Sequence, residues 1–208
     1  MIVVDVPQGT PEWLQARAGL LTASCAGDAF ARTKSGWAAS RKNLVMRLVL
    51  ERLTGKPQGS DFVSPAMERG TELEPDARRA YESSTGYIVD QVGFIRHDTL
   101  KAGGSPDGLV GTDGIVEFKC PGAAVHLEYL KGSVPNGHLL QVTHLLWLTG
   151  RKWADLVSFH PDFPEALRLA TRRLTVNDME LLTYENGVVT FLNEVQREQG
   201  EVLALMEQ

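Results

Sequence analysis

One stretch of the sequence, SPDGLVGTDGIVEFKCP at residues 105–121, constrains the fold of this chain more than any other. Within it, Asp113-Gly114 separates two apolar runs, Leu109-Val110 and Ile115-Val116. Asp-Gly in this setting is a strong signal for a tight β-hairpin, because glycine adopts positive φ without steric cost. We therefore predict two antiparallel strands that fold back on each other at Asp113-Gly114.

The second strand of this hairpin carries an acid and an amine on the same face. Side chains alternate between the two faces of a strand, so Glu117 and Lys119 point one way while Val116 and Phe118 point the other. Asp107 opens the first strand, and closure of the hairpin returns it to the strand of Glu117. We expect two carboxylates and one ammonium group to meet at one point.

This trio suits the hydrolysis of a phosphodiester. Mg²⁺ binds oxygen ligands, usually one or two carboxylates with water and phosphate oxygens, and two such ions about 3.5–4 Å apart stabilise the attacking and the leaving oxygen. Lys119 would orient the attacking water or help to deprotonate it. The residues also have an ordinary interpretation, because Ser-Pro-Asp-Gly forms common turns and Glu-x-Lys on a strand is often an exposed ion pair. The hairpin alone therefore does not establish a metal site.

A helix predicted over residues 64–84 carries three further acids. Ser-Pro at its start is typical of a helix N-terminus, and Pro75 is expected to kink or split it. The acids are Glu68, Glu72 and Glu74. Glu68 and Glu72 share one face and Glu74 lies on another, so one of them can supply a third metal-facing carboxylate, but position alone does not choose among them.

Two short helices are predicted near the N-terminus. Residues 10–12 (TPE) combine an N-cap, a proline at the first helical position and an acid in the first turn. The helix that follows places Trp13 and Arg17 on one side. A second helix over residues 22–30 presents free backbone N–H groups at its start, where an anion can bind. Arg17 and Ser24 lie near that end and would hold a phosphate, although Ser24 also fits as an ordinary first-turn residue.

A helix predicted over residues 138–148 carries Gln141 and His144 at i, i+3 spacing. Both side chains could face the site. His144 could instead be a hydrogen-bonded core histidine, which is the commoner fate of a lone histidine on a helix.

The remaining segments complete a layered fold. The predicted helices cover residues 37–53, 123–130 and a long acidic stretch from a capping box at Asn177 and Glu180, interrupted at Asn186-Gly187. The predicted strands are residues 87–89 and 92–95, which lead into the hairpin, and 153–159 and 167–174. This order indicates an α/β or α+β fold with a mixed sheet flanked by helices.

The composition of the chain indicates the broad class of protein. The chain has 208 residues, 43% hydrophobic and 23% charged, which predicts a single globular domain over residues 1–208. Its two cysteines, Cys25 and Cys120, are typical of a reducing compartment. We find no signal peptide and no apolar run long enough for a transmembrane helix, so we expect a cytoplasmic protein.

The charge distribution is uneven. The formal net charge is −5, yet residues 31–57 carry seven basic side chains against one acid, and residues 177–208 carry seven acids against one arginine. A basic region opposite an acidic end could steer DNA to one face. The basic residues could equally form the solvated outer face of an amphipathic helix.

The chain resembles the phage lambda-type alkaline exonucleases, the YqaJ-like viral recombinase group of the PD-(D/E)xK nucleases. The resemblance runs in order over most of the chain, and each block by itself is weak. The matching residues are Trp13 with 17–24 (RAGLLTAS), 69–78 (RGTELEPDAR), 81–86 (YESSTG), 105–109 (SPDGL), 117–121 (EFKCP), 141–147 (QVTHLLW) and 159–162 (FHPD).

This resemblance implies a restriction-endonuclease-like core and a 5′→3′ exonuclease acting at double-stranded DNA ends. The expected enzyme uses Mg²⁺ or Mn²⁺, with two ions per active site, and degrades one strand to mononucleotides. It leaves a 3′ single-stranded tail for recombination in a phage or prophage setting. The resemblance also implies a ring-shaped homotrimer that threads DNA and a single-strand annealing protein as partner.

Residue roles follow by motif position. The resemblance makes Asp107, Glu117, Glu74 and the backbone carbonyl of Phe118 metal ligands, and Lys119 the group that handles water. It places the 5′-phosphate at Arg17, Ser24 and Ser105, and it makes Gln141 a further DNA-binding residue. The family has a Gln-x-x-Tyr motif at this last position, where His144 replaces the tyrosine, so only Gln141 is carried over.

Two other functions compete with this interpretation. One is a structure-specific or restriction-type endonuclease of the same superfamily. The other is a DNA-binding module that kept the fold without catalysis, which intact Asp107, Glu117 and Lys119 argue against. Iron–sulfur relatives are disfavoured because two cysteines cannot supply four cluster ligands.

Overall fold

The computed structural model of the chain describes residues 1–58 and 64–207. Its helices are α1 (Pro11–Arg17), α2 (Ala26–Ala29), α3 (Ala39–Thr54), α4 (Pro65–Thr85), α5 (Ala123–Leu130), α6 (Asn136–Thr149) and α7 (Asp178–Ala204). Its strands are β1 (Ile2–Val4), β2 (Leu21–Thr22), β3 (Arg32–Thr33), β4 (Gly36–Trp37), β5 (Val89–Asp90), β6 (Phe94–Arg96), β7 (Ala102–Gly104), β8 (Gly108–Val110), β9 (Gly114–Lys119), β10 (Trp153–Phe159) and β11 (Leu169–Thr175).

The main sheet has five strands in the order β11-β10-β9-β8-β5. β9 and β10 are parallel, whereas the other neighbouring pairs are antiparallel. One face packs against α4, where buried Tyr81 lies with Val116. The opposite face packs against α5 and α6, where Tyr129 and Leu145 lie with Ile115. The predicted mixed sheet with helices on both faces is therefore confirmed.

A second sheet has the order β1-β6-β7-β2. Its strand β7 was not predicted, because two of its three residues are glycines, which are depleted in strands. Close packing explains why residue 103 is a glycine, because a Cβ there would lie 2.4 Å from the ring of Phe94. β6 also belongs to this sheet, so of the two strands predicted to lead into the 105–121 hairpin only β5 pairs with it.

The hairpin itself is confirmed, but its turn is not at Asp113-Gly114. Val110 pairs with Gly114, so residues 111–113 form the loop and Gly114 is the first residue of β9. Gly111 takes the positive φ that the turn needs, at 52°. Gly114 serves close packing instead, because a Cβ there would lie 2.2 Å from the ring of Trp153. The segment holds two glycines in suitable places, and the loop uses the earlier one.

Two helices that were predicted to break are continuous. α4 continues through Pro75, after which Ala77 and Tyr81 are fully buried against the sheet and hold the chain in the helix. α7 continues through Asn186-Gly187, where a Cβ on Gly187 would lie 2.5 Å from the ring of Phe30. This glycine permits close packing and does not end the helix.

The helix ends agree with the predicted signals. Thr10 accepts a hydrogen bond from the backbone of Trp13, and Asn177 with Glu180 forms the predicted capping box. α3 and α7 pack on each other around a separate apolar cluster that includes Leu48 and Phe191. Among the described residues, we find no helix with the length and apolar character needed to cross a membrane.

Candidate active site

The hairpin brings the three predicted polar side chains together. β8 begins at Gly108, so Asp107 lies just beyond the last backbone pair, between Gly108 and Val116. There its Oδ2 accepts a hydrogen bond of 2.7 Å from the backbone N–H of Phe118. On the same strand the Lys119 Nζ lies 2.9 Å from the Glu117 Oε1. The alternation of side chains along β9 therefore positions the carboxylates and the amine as expected.

Burial strengthens the interactions among these charges. Glu117 is 2% exposed. Loss of hydration, with the nearby negative charge of Glu117, raises the pKa of Asp107 well above its ordinary value. Burial opposes the charge on Lys119, but Glu117 and Asp107 outweigh this effect and raise the pKa of the ammonium group. The site thus holds a firmly protonated lysine between acids that repel each other.

The second oxygen of Glu117 points to a cation. Glu117 Oε2 is buried and has no hydrogen-bond partner among residues 1–58 and 64–207. An unpaired buried carboxylate oxygen is costly unless a ligand satisfies it, and a divalent cation that prefers oxygen ligands would do so. No three His, Cys, Asp or Glu side chains in these ranges already converge as a metal site. The residues fit an ion held by one or two carboxylates together with water.

Among the three acids of α4, the structure brings Glu74 to the site. Glu74 lines the same cleft as Asp107 and Glu117, whereas Glu68 and Glu72 are exposed and do not line it. Burial is the main cause of the raised pKa of Glu74, which Arg78 counteracts from 3.2 Å away. Glu74 thus faces the cleft while it pairs with its own helix neighbour.

Two adjoining clefts define the space for a substrate. The carboxylate cleft has a volume of about 470 Å³ and is lined by Glu74, Asp107, Glu117 and Lys119 among others. A second cleft of about 740 Å³ is lined by residues that include Ser24, Arg32 and Gln141. Lys119 and His138 line both clefts. The two clefts therefore adjoin at these two side chains, and a polymer that occupied both would run past them.

The predicted phosphate-binding residues form a connected chain of contacts. Arg17 donates a 3.1 Å hydrogen bond to the Ser24 hydroxyl, and its guanidinium lies 3.8 Å above the ring of Trp13. The Trp13 indole N–H donates a 2.8 Å hydrogen bond to Ser105. Ser24 lies in a 3₁₀ turn, and the α-helix that follows is only Ala26–Ala29. The second predicted helix is thus shorter than expected. The candidate phosphate-binding groups here are therefore mainly side chains and not backbone N–H groups of a helix.

Gln141 and His144 have different surroundings. The Gln141 side-chain oxygen accepts a 3.0 Å hydrogen bond from Lys119, and its amide nitrogen donates to Glu117 Oε1. Gln141 therefore reaches the site and locks the lysine–glutamate pair. His144 is fully buried and its Nδ1 lies 2.9 Å from the hydroxyl of Tyr184. His144 is a core histidine, which resolves the alternative that the sequence left open.

Part of the basic segment has a structural role. Arg41 is buried and pairs with Glu194 of α7. Arg47 donates a 2.9 Å hydrogen bond to the Cys25 sulfur, and Arg52 donates one of 2.9 Å to a backbone carbonyl. Arg32 differs, because it stacks on Trp37 and lines the second cleft. The steering hypothesis for DNA therefore depends on fewer charges than the sequence indicated.

Sequence reasoning missed two residues that line or support the site. Arg78 lies one helical turn after Glu74 and pairs with it. His138 lies one turn before Gln141 and lines both clefts. Arg78 lies at i+4 from Glu74 and His138 at i−3 from Gln141, so helical spacing from a residue already considered could have pointed to both.

Comparison with known proteins agrees with this geometry. Residues 12–152 match the model of the YqaJ-like viral recombinase domain. The chain belongs to this family. The chain is also similar to an alkaline exonuclease from Laribacter hongkongensis, with 38% identity over 95% of this chain and 98% of that one, and a TM-score of 0.86. A structure of that enzyme in complex with dAMP gives the same values.

A more distant similarity concerns the fold alone. A phage-related exonuclease from Haemophilus somnus 129PT is 15% identical over 90% of this chain and 96% of that one, with a TM-score of 0.71. A search of curated protein sequences finds no match. The viral recombinase family and the alkaline exonuclease similarity together support a general exonuclease function and the restriction-endonuclease-like fold.

Proposed function

We propose that this protein is a metal-dependent exonuclease that digests one strand of linear double-stranded DNA in the 5′→3′ direction. The observation that carries the proposal is the carboxylate cleft of Asp107, Glu117 and Lys119, which adjoins the cleft that Ser24 lines. A terminal phosphate held near Arg17 and Ser24 would leave the next phosphodiester near the carboxylates. The similar exonuclease binds dAMP, a deoxynucleoside monophosphate and thus the product class expected here.

Each residue has a distinct part in this proposal. Asp107, Glu117, Glu74 and the backbone carbonyl of Phe118 would hold Mg²⁺ or Mn²⁺, with two ions in each active site. Bound cations would supply the charge that stabilises the attacking and leaving oxygens. Lys119 orients the attacking water and offsets phosphate charge, while Gln141 holds Lys119 in place.

We propose that binding of the terminal 5′-phosphate sets the 5′→3′ direction of digestion. The guanidinium of Arg17 and the hydroxyls of Ser24 and Ser105 offer donors to a 5′-phosphate. Arg17 has no carboxylate within ion-pair distance among the described residues, so its charge remains available for an anion. Because Ser24 of this group lines the second cleft, the DNA strand would feed from its 5′ end.

We also propose an oligomeric state, a partner protein and a biological role. We propose a homotrimeric ring around DNA, a single-strand annealing protein as partner, and a role in phage-type recombination in the cytoplasm of a bacterial host. A sedimentation measurement tests the ring, because a protein that stays monomeric at working concentrations would contradict it.

A digest of linear duplex tests the reaction class. The substrates are blunt duplexes with 5′-phosphate or 5′-hydroxyl ends, with a covalently closed circle as control and EDTA as the metal-free condition. We expect mononucleotides from the 5′-phosphorylated ends and an intact circle. Nicking of the circle would favour the alternative, a structure-specific or restriction-type endonuclease, and digestion from the 3′ end would overturn the polarity.

A substitution of Glu72, on the same helix, is a matched control for a substitution of Glu74. Glu74→Gln removes a carboxylate that lines the cleft, whereas Glu72→Gln removes an exposed one. We expect cleavage to fall by at least roughly tenfold to a hundredfold for Glu74→Gln, because the loss of a metal ligand should cost no less than the loss of an outer contact, and no change for Glu72→Gln. Equal rates for the two variants would remove Glu74 from the site.

A further inference from the structure

His138 occupies the junction between the two clefts. It is in the first turn of α6, is partly exposed, and lines both the carboxylate cleft and the cleft of Ser24. Lys119 is the other residue common to both. A nucleotide chain that passes from one cleft to the other must therefore pass the imidazole ring.

A buried tyrosine fixes this ring from behind. Tyr129 of α5 is fully buried, and its hydroxyl lies 2.6 Å from the His138 Nδ1. In the part of the chain that the structure describes, this hydroxyl makes its hydrogen bond with His138. A buried hydroxyl proton needs an acceptor, so Tyr129 donates and Nδ1 accepts. Burial raises the pKa of Tyr129, so the phenol keeps the proton that it donates.

The hydrogen bond at Nδ1 also determines the protonation of the other ring nitrogen of His138, Nε2. In a neutral imidazole one nitrogen accepts and the other carries the proton, so His138 carries its proton on Nε2. This nitrogen is not a buried polar atom without a partner and has no acceptor among residues 1–58 and 64–207, so solvent reaches it. Burial, helped by the charge of Lys119, lowers the pKa of His138 to about 4, so the ring is neutral at pH 7.

We propose that Tyr129 and His138 act as a pair that presents a fixed imidazole N–H to the phosphate being cleaved. His138 contacts the scissile phosphate, and Tyr129 is a positioning residue that sets the tautomer. The inference rests on the proposed nuclease function and adds a contact to the same site. The chain then has two donors at the cleft junction, the charged Lys119 and the neutral His138.

The proposed tautomer does not suit a metal ligand. A histidine binds a metal through an unprotonated nitrogen, and in this tautomer Nδ1 accepts from Tyr129 while Nε2 carries the proton. The available N–H suits an acceptor, and phosphate oxygens are the acceptors that the substrate brings. The scissile phosphate is favoured over the terminal one because His138 lines the cleft of Asp107 and Glu117, whereas Arg17 does not.

The tautomer can be measured without any activity. ¹H–¹⁵N correlation spectra of the histidine rings in the metal-free protein at pH 8 distinguish the two neutral tautomers, and His138→Gln identifies the signals of His138. We expect the proton on Nε2 in the wild type and a mixture of tautomers in Tyr129→Phe. A wild-type ring with the proton on Nδ1, or a Tyr129→Phe spectrum unchanged from wild type, would refute the pair.

Kinetics test the contact with substrate. His138→Leu removes the donor, whereas the amide of His138→Gln retains one near the position of Nε2. A hydrogen bond to a charged group predicts a fall in kcat of roughly ten- to a hundredfold for His138→Leu, with KM little changed and substantial recovery in His138→Gln. Tyr129→Phe should lower kcat by a smaller factor, and thermal unfolding of each variant establishes that it is folded.

Duplexes with a 5′-phosphate or a 5′-hydroxyl distinguish contact with the scissile phosphate from contact with the terminal phosphate. His138→Leu should lower cleavage by a similar factor on 5′-phosphorylated and 5′-hydroxyl duplexes, whereas Arg17→Ala should affect mainly the phosphorylated one. A His138→Leu defect confined to 5′-phosphorylated ends would overturn contact with the scissile phosphate. If the wild type cleaved no linear duplex, the proposed function would fail, and the tautomer measurement would still stand alone.

Discussion

The buried His144 should make the fold sensitive to acid. It is fully buried beside the hydroxyl of Tyr184, and burial lowers its pKa from 6.5 to about 3. In the unfolded chain the ring takes up a proton as the pH falls through about 6.5. The folded protein resists this protonation until about pH 3. The stability contributed by the neutral ring is therefore complete above pH 6.5 and is lost as the pH falls through this window.

The size of the effect follows from the two pKa values. Each pH unit between them changes the free energy of unfolding by about 1.4 kcal/mol. At pH 5 the titration of His144 should lower the free energy of unfolding by about 2 kcal/mol relative to pH 8, and at pH 4 by about 3 kcal/mol. These losses are a substantial part of the stability of a typical domain.

Urea denaturation of the metal-free protein at pH 8, 6, 5 and 4 measures this loss. His144→Gln cannot titrate but keeps a polar group for Tyr184, so its stability should fall less steeply with pH than that of the wild type. Tyr184→Phe is the matched control, because it removes the same hydrogen bond and leaves the buried imidazole. Parallel pH profiles for the wild type and His144→Gln would refute the reasoning. At pH 8 His144→Gln should retain its nuclease activity, since residue 144 does not line either cleft.

Three further outcomes are expected. Lys119→Ala should lower single-turnover cleavage by roughly 10²–10³, because it removes a preorganised charge, while gel-shift binding of DNA persists; near wild-type cleavage would exclude Lys119 from the chemistry. Arg173→Gln should lower the free energy of unfolding in urea by about 2–3 kcal/mol, because buried Asp155 loses hydrogen bonds of 2.8 and 2.7 Å to a half-exposed arginine; a loss near zero would contradict this. Cleavage at subsaturating DNA should fall steeply as salt rises from about 50 to about 200 mM, and a rate independent of salt would argue against an electrostatic channel.

The core of the site could be predicted because it depends on local geometry. Alternation along one strand places Glu117 beside Lys119, and a hairpin returns Asp107 to them whichever glycine forms the turn. The position of the turn could not be fixed, because both Gly111 and Gly114 suit a loop and only the packing of Trp153 on Gly114 decides between them.

Residues from other elements were harder to predict. Choosing Glu74 over its neighbours requires the rotation of α4, which buried Ala77 and Tyr81 set through contacts with the sheet. The role of His138 requires Tyr129, which comes from a different helix. Pro75 and Gly187 show the same limit, since packing overrides local signals that ordinarily end helices.

The central position of β9 restricts how the cleft can widen. This strand has backbone partners on both sides, β8 and β10, and Asp107 is tied to it through the amide of Phe118. Displacement of β9 would break backbone hydrogen bonds along both edges, whereas Glu74 is on a helix joined to the sheet by side-chain packing and side-chain hydrogen bonds. We therefore expect the cleft to widen by movement of α4 rather than of β9, with slow amide exchange along β9 and faster exchange in α4.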